Sequence, residues 1–541
     1  MIRPVLIIGN GICAGRISET LLQTRIDVIL VSQNANLDKA LSCAPKSRPH
    51  KSQEVYTATI VVGCSGTVGN FKVQLQSNHR RIDRTVSAII IAEENRFQPN
   101  HSLYGLAPSQ SILSLTQFNH MISSASPKTD KIKGASRIVF LSGLIMENHP
   151  VLSEKIMRLS LLLQNKFNIQ TYVLAGNLKV AGPDLEDLYW QSKKAGAVYV
   201  KFTYDPPQIT QTNGRAAFAF TDEITGHCYE LTPDITVVDE MIFPSDRLAH
   251  LAEVLKIDTG PEGYVQTDNV RRISILTNRK GILAVGPSRG IYSETDSLAD
   301  AEGAALAVLQ LIAAAGDEPG DHAVIDPGKC VRCLTCYRLC PHQAITIDTR
   351  PAVAPESCEN CGLCVSECPR RAISATGSGV LNPAEKPLLD SGDDAFEPYI
   401  IALCCGRSAI PAEKLSLLWG HPHPRQLSVI TVPCGAGISK DFIYQLFLHG
   451  ADGVLILTCH QGNCHSEQGH QHAYHRTANV KEFFQQIGFE EDRLFVDTIA
   501  ANMGAEFPEK IACFTDTILK LGPSRLSLAK TLQLHKKRDR I

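Results

Sequence analysis

Eight cysteines form one motif written twice. Cys330-Val-Arg-Cys333-Leu-Thr-Cys336-Tyr-Arg-Leu-Cys340-Pro341 returns as Cys358-Glu-Asn-Cys361-Gly-Leu-Cys364-Val-Ser-Glu-Cys368-Pro369. Two-residue gaps wrap a loop around one face of a small volume. Four thiolates converging on such a volume are what a cubane 4Fe–4S cluster needs, so two clusters are expected here. Zinc also takes four ligands, but a tandem three-plus-one run with proline after each fourth cysteine is not its usual spacing. Disulfide frameworks belong to short secreted chains. Thirteen of the 18 cysteines of this 541-residue chain crowd between Cys330 and Cys464, which points to metal ligation instead.

The doubled run resembles bacterial-type two-cluster ferredoxins. In that family the fourth cysteine of each run ligates the other cluster. The resemblance implies one cluster on Cys330, Cys333, Cys336 and Cys368, and a second on Cys358, Cys361, Cys364 and Cys340. Such clusters move single electrons and make no bonds, so function depends on what they connect.

A second constellation lies further on, in Cys404-Cys405-Gly406-Arg407-Ser408, Val432-Pro433-Cys434-Gly435 and Cys459-His460-Gln461-Gly462-Asn463-Cys464-His465. Each follows an apolar, strand-like run: Ile400–Leu403, Val429–Val432 and Gly453–Leu457. Strand ends in an open α/β sheet converge on one edge, so the three loops can build one metal site. The stretch 400–515 resembles the delta subunit of methyl-viologen-reducing hydrogenase, also through Gly450-Ala-Asp-Gly-Val454 and Gly469–Arg476. That family implies a 2Fe–2S cluster, with Cys404 or Cys405 joining Cys434, Cys459 and Cys464. The family separates its first two cysteines by two residues. The adjacent pair here leaves the fourth ligand open. His460, His465, His470, His472 and His475 are irregularly spaced and read as a solvated loop and helix start rather than as ligands.

Gly9-Asn10-Gly11-Ile12-Cys13-Ala14 forms a GxGxxA turn between a strand (Pro4–Ile8) and a helix (Arg16–Gln23). Its glycines let the backbone approach a pyrophosphate at the helix N-terminus. Residues 1–320 resemble the A-type subunit of heterodisulfide reductase, a flavoprotein. The resemblance includes Tyr104-Gly105, Asp184–Gly196, and Gly281–Gly286 with Asp296–Ala305. It implies FAD held near Gly9, Gly11, Ala14, Ser32 and Gly286. Three departures stand out. Ser32-Gln33 replaces the acidic residue that ends the second strand, Ala92-Glu93-Glu94 replaces the family's Ala-Thr-Gly, and Pro150–Leu162 lacks the cysteines of an additional cluster. These departures give no reason to assume flavin-based electron bifurcation. Cys13, Cys43, Cys64, Cys228 and Cys513 are isolated and read as small buried hydrophobes.

The positioning elements suggest an α/β chain. A Rossmann-like, two-dinucleotide-binding flavoprotein fold is expected over 1–320, with a second α/β subdomain at 135–240. An α+β ferredoxin insert with two clusters follows at 321–375, a linker at 376–398, and a C-terminal α/β iron–sulfur domain at 399–522. A shorter linker falls at 316–320, and 523–541 is a basic tail. Expected strands include Thr85–Ala92, Arg137–Leu141, Thr171–Leu174, Ala197–Phe202, Ile235–Val238 and Gly281–Val285. Helices are expected over Ser153–Asn165, Asp184–Ala195 and Asp296–Ala315. No second glycine fingerprint occurs within 135–240, which disfavours a self-contained NAD-dependent reductase.

The 53 basic and 55 acidic residues nearly cancel, leaving no electrostatic case for nucleic acid or an anionic membrane. No apolar run reaches the roughly 20 residues of a transmembrane segment. The start carries no basic, cleavable leader, so the cytoplasm is the default, with membrane association only through a partner protein. The expectation is an oxidoreductase subunit that passes electrons between a C-terminal 2Fe–2S cluster, two 4Fe–4S clusters and FAD. Its partners would be other subunits of a heterodisulfide reductase-like, hydrogenase-like or quinone-linked complex. The alternative is a flavin-free iron–sulfur conduit.

Overall fold

The structure, a computed structural model, describes residues 3–35, 53–77, 80–123, 134–182, 184–265, 274–314, 320–377, 396–424 and 427–526. Cys43, most of both linkers and most of the basic tail lie outside them. The described residues gather into two compact units. One takes its residues from Met1–Ala92, Arg247–Val285 and Leu298–Ile541, the other from Glu93–Asp246 and Gly286–Ser297.

In the first unit, five parallel strands lie in the order Ile282–Ala284, Ala88–Ala92, Val5–Gly9, Val28–Val31, Gln53–Tyr56. The central strands are continuous apolar runs because helices cover them. Helix Ile12–Gln23 presses Cys13, Ala14, Ile17 and Leu21 onto the sheet, beside Ala301, Ala304, Ala305 and Val308 of helix Glu294–Ala313. Small residues on the longer helix allow that close packing. The expected strand Thr85–Ala92 is two elements. Arg80–Val86 closes an antiparallel meander with Thr59–Ser65 and Phe71–Ser77, and the chain breaks at Ser87, whose N–H donates to Pro4 O.

The cysteine-rich module pairs Ala323–Ile325 with Ile373–Ala375 and Ile345–Ile347 with Pro351–Val353. The C-terminal module is a parallel sheet in the order Leu427–Val432, Ile400–Cys405, Gly453–Thr458, Leu494–Thr498. Helices Lys440–Leu448 and Gly469–Gln486 cover one face, Ala409–Leu418 and Glu506–Leu521 the other. The first strand lies between the second and third. The loop leaving the first strand runs to helix Ala409–Leu418 on one face, while the loops leaving its two neighbours run to the helices on the other, which opens a crevice at the strands' C-terminal ends.

The second unit holds a parallel sheet ordered Val198–Lys201, Gln170–Ala175, Arg137–Ser142, Ile235–Val238, Ile112–Ser114. The stretch that lacks the additional cluster's cysteines is helix Pro150–Phe167. Three antiparallel strands, Gln208–Thr212, Arg215–Thr221 and Cys228–Leu231, have no counterpart among the expected elements. Asp239, at the end of strand Ile235–Val238, accepts hydrogen bonds from Gly143 N–H at 2.6 Å and from the side chains of Asn100 and Tyr104. Burial holds its carboxyl above the usual range.

Candidate metal centres

The two cysteine runs fold alike, 28 residues apart. Arg332 and Asn360, Leu334 and Gly362, and Gln343 and Arg371 all take left-handed backbone conformations. Each of the middle pair precedes a short helix, Thr335–Leu339 or Leu363–Ser366, that carries the third cysteine inward. One cavity is lined by Cys330, Cys333, Cys336 and Cys368. The other is lined by Cys358, Cys361, Cys364 and Cys340. The fourth cysteine of each run thus crosses to its partner's cavity.

The donor chemistry fits iron–sulfur clusters. Ala344 N–H points at Cys340 Sγ (3.4 Å) and its counterpart Ala372 N–H at Cys368 Sγ (3.2 Å). Ala323 N–H reaches Cys358 Sγ at 3.5 Å, and the Thr335 hydroxyl reaches Cys333 Sγ at 3.4 Å. That hydroxyl lowers the pKa of the exposed Cys333 thiol. Burial drives Cys336, Cys340, Cys361 and Cys364 upward, the last to about 12. Such sulfurs are strained as bare thiolates and are stabilised by a bound cation.

In the C-terminal module, strand alternation decides between the adjacent cysteines. Cys404 is buried with Ile400, Ala402, Ala409, Ala412 and Phe507 on one face of the sheet. Cys405 emerges on the other, in an apolar cluster with Cys434, Cys459 and Cys464. Cys405 Sγ and Cys459 Sγ are 3.6 Å apart. Two thiolates bound at about 2.3 Å to one tetrahedral metal would stand about 3.8 Å apart. Cys464 sits within hydrogen-bonding reach of both Cys459 and Cys434, and the bond with Cys434 raises its thiol pKa to about 11. Cys405, Cys434, Cys459 and Cys464 therefore come together, and Cys404 does not.

Residues outside the cysteine pattern shape this site. Ser408 is fully buried at the N-cap of helix Ala409–Leu418, yet its hydroxyl makes no cap bond. It faces Cys405 and Cys459 instead; the contact with Cys459 and burial raise the Cys405 thiol, against a smaller lowering by this hydroxyl. Gly469 opens helix Gly469–Gln486, and a Cβ there would fall 2.2 Å from Cys434 Sγ. Two of the histidines assigned to a solvated loop or helix start are at least partly withdrawn from solvent. His465 Nε2 meets Glu359 at 3.1 Å, and His470 is buried. The His465 bond is the main cause of the Glu359 carboxyl's fall to about 2.

The two modules lock together beside the second cavity. Cys361 and Leu363 share the apolar cluster of Cys405, Cys434, Cys459 and Cys464. A Cβ on Gly362 would come 2.8 Å from Gly437 Cα, so only glycine permits this approach. Arg476, 4% exposed, donates to Glu367 (2.6 Å), Ala436 O (2.6 Å) and Ile438 O (2.8 Å). Arg371 pairs with Asp441 across the same boundary.

At the N-terminal turn, Gly9 has φ +148°, and Gly11 caps helix Ile12–Gln23 with neither a side-chain cap nor an acidic first turn. Ala14 is buried where the helix meets the sheet. These residues fit a dinucleotide's phosphates. Ser32 follows the neighbouring strand but is 1% exposed, and its hydroxyl accepts Asn34 N–H at 3.1 Å. Gly286, with φ +48°, opens a 3-10 turn in the second unit. Among the isolated cysteines Cys13 is buried and Cys64 half-buried, whereas Cys228 and Cys513 are exposed, against expectation. No helix among the described residues is long and apolar enough to cross a membrane.

Residues 400–522 match the family of the methyl-viologen-reducing hydrogenase delta subunit, and residues 322–369 match the 4Fe–4S dicluster domain. The D-type iron-sulfur subunit of the F420-non-reducing hydrogenase of Archaeoglobus profundus is 30% identical over 130 residues, 24% of this chain and 95% of that one. The A-type subunit of the ferredoxin:CoB-CoM heterodisulfide reductase of Methanosarcina mazei is 27% identical over 355 residues. That match covers 64% of this chain and 44% of the relative, so the chain spans less than half the length of such proteins. Among solved structures, Lactococcus lactis thioredoxin reductase aligns over 57% of this chain and 99% of its own, at TM-score 0.38 and 15% identity. The chain therefore belongs to the methyl-viologen-reducing hydrogenase delta-subunit family through residues 400–522, and it carries in the same polypeptide a 4Fe–4S dicluster domain and a portion homologous to the A-type subunit of heterodisulfide reductase.

Proposed function

We propose that this chain is the electron-transfer subunit of a heterodisulfide reductase-like, hydrogenase-linked or quinone-linked oxidoreductase complex. When bound, a 2Fe–2S cluster and two 4Fe–4S clusters would supply one-electron steps, and FAD the conversion to two-electron chemistry. Cys405, Cys434, Cys459 and Cys464 would hold the first. Cys358, Cys361, Cys364 and Cys340 would hold the second, and Cys330, Cys333, Cys336 and Cys368 the third. Gly9, Gly11 and Ala14 would seat the flavin's phosphates, with Ser32 as a further contact.

The observation that carries this reading is the apolar cluster shared by Cys361, Leu363, Cys405, Cys434, Cys459 and Cys464. It brings two sulfur sites from different modules side by side and keeps water from between them. Arg476 and Glu367 fix that approach, and Gly362 and Gly437 leave nothing bulky in it.

A flavin-free conduit is favoured by one detail. Where a carboxylate would bind the ribose, Ser32 is buried and engaged with Asn34. Anaerobic purification separates the readings. Iron, sulfide and an absorption band at ~450 nm with about one FAD per chain support the first. Iron and sulfide without that band support the conduit, and zinc in place of iron would refute both.

A further inference from the structure

The two cavities of the cysteine-rich module share a local fold but not an environment. The Cys358 cavity is enclosed by the C-terminal module. The Cys330 cavity opens outward: Cys333 is exposed, Val331 beside it is 59% exposed, and Leu334 is half-exposed. Around this small apolar centre stand four exposed arginines. Arg370 lines the cavity, Arg338 donates to Cys333 O at 3.2 Å, Arg350 donates to Pro327 O, and Arg332 lies between Cys330 and Cys333 in the chain. None pairs with a carboxylate among the described residues. Between Ile325 and Pro351 the acids are Asp326, which pairs with Lys329 at 3.6 Å, and Asp348. Lys256, whose Nζ donates to Tyr337 OH at 3.0 Å, adds another cation.

A small apolar patch inside a ring of unpaired cations is unlike a large obligate interface. It fits a transient electron-transfer encounter, in which charge steers approach and a modest contact area permits release. We propose that this face is the docking surface for an acidic one-electron carrier protein, which exchanges electrons with the centre held by Cys330, Cys333, Cys336 and Cys368. One electron passes between that centre and the carrier's own redox centre at each encounter. The proposal rests on the reading that these cysteines hold a cluster, so iron and sulfide are measured on every sample.

The test is stopped-flow oxidation of the dithionite-reduced full chain by two small acceptors, an acidic plastocyanin and a basic cytochrome c, from 20 mM to 500 mM salt. Opposite charges attract less as salt rises, so the plastocyanin rate should fall at least tenfold, while the cytochrome c rate should hold or rise. Arg332→Glu/Arg370→Glu with iron retained should lower the low-salt plastocyanin rate at least tenfold and flatten its salt dependence. If that pair loads no iron, Arg332→Gln/Arg370→Gln should give the same change at about a third of the size. An iron-loaded parent that favours cytochrome c, or iron-loaded variants with unaltered salt profiles, would overturn the docking surface alone. A parent without iron would overturn both the surface and the function on which it rests.

Discussion

The adjacent pair Cys404-Cys405 gives the sharpest test, because two neighbouring thiols should behave in opposite ways. Cys405→Ala removes one of four sulfurs gathered at the strand ends, so the C-terminal site should lose about two irons per chain. The loss should leave the other eight cysteines and their iron untouched. Cys404→Ala should keep every iron. Its cost is mechanical: a sulfur vanishes from a packed layer between Ala402, Ala409 and Phe507, leaving a void smaller than a leucine truncation would. Scaling from core cavities, that amounts to about 1–2 kcal/mol, seen as a lower urea midpoint for the C-terminal module. Cys404→Ser should cost about as much again, since the hydroxyl enters an apolar layer with no partner. Iron and sulfide assays, together with electron paramagnetic resonance of the dithionite-reduced protein, read the first effect; urea titration reads the second. If Cys404→Ala sheds iron and Cys405→Ala retains it, the assignment of sheet faces to ligation is wrong.

Three further outcomes follow from contacts around the same site. Gly469→Ala should empty the C-terminal centre, because its methyl would occupy the space of Cys434 Sγ; full iron content would show that the helix start can shift. Arg476→Ala leaves two carbonyls and the part-exposed Glu367 without their donor, so it should cost about 2–3 kcal/mol and make the boundary between residues 322–369 and 400–522 more open to proteolysis. Unchanged cleavage would count against a fixed junction. Ser408→Ala should keep the iron but lower the C-terminal centre's midpoint potential by about 40 mV, the equivalent of roughly 1 kcal/mol, because the hydroxyl no longer stabilises the more negative reduced state. A potentiometric titration in which that centre does not move would dismiss the hydroxyl.

Elements with one dominant local signal were legible in the sequence. Helix Ile12–Gln23, the apolar strands and the two cysteine runs all announced themselves, with boundary errors of a few residues. Of the meander only the strand-like piece Thr59–Val62 was legible, although Phe71, Val73 and Leu75 are buried between exposed Lys72 and Gln74, a clean alternation. Asn213-Gly214 between alternating strands was missed in the same way; both residues take positive φ, as a two-residue hairpin turn requires. Those were readable signals left unread. The choice between Cys404 and Cys405 was of another kind. Period-two alternation guarantees that they point apart, but which face carries the other cysteines depends on how the loops after three strands fold over. Likewise Arg476 and Glu359 belong to the site through partners about a hundred residues away.

The doubled cysteine motif carries this lesson furthest. Its halves match so well that the left-handed positions, the short helices and the N–H···S bonds recur at a constant offset. A motif that defines two equal sites cannot say which one faces inward. What separates them is supplied from outside: Glu367, Gly362 and Glu359 of the second run meet Arg476, Gly437 and His465. The corresponding positions in the first run are Leu339, Leu334 and Val331, none of which offers a charge or a glycine for such a junction. Three positions at which the two halves carry different residues thus direct one half to the C-terminal module. The other half is left at the surface, where its arginines are free to choose a partner.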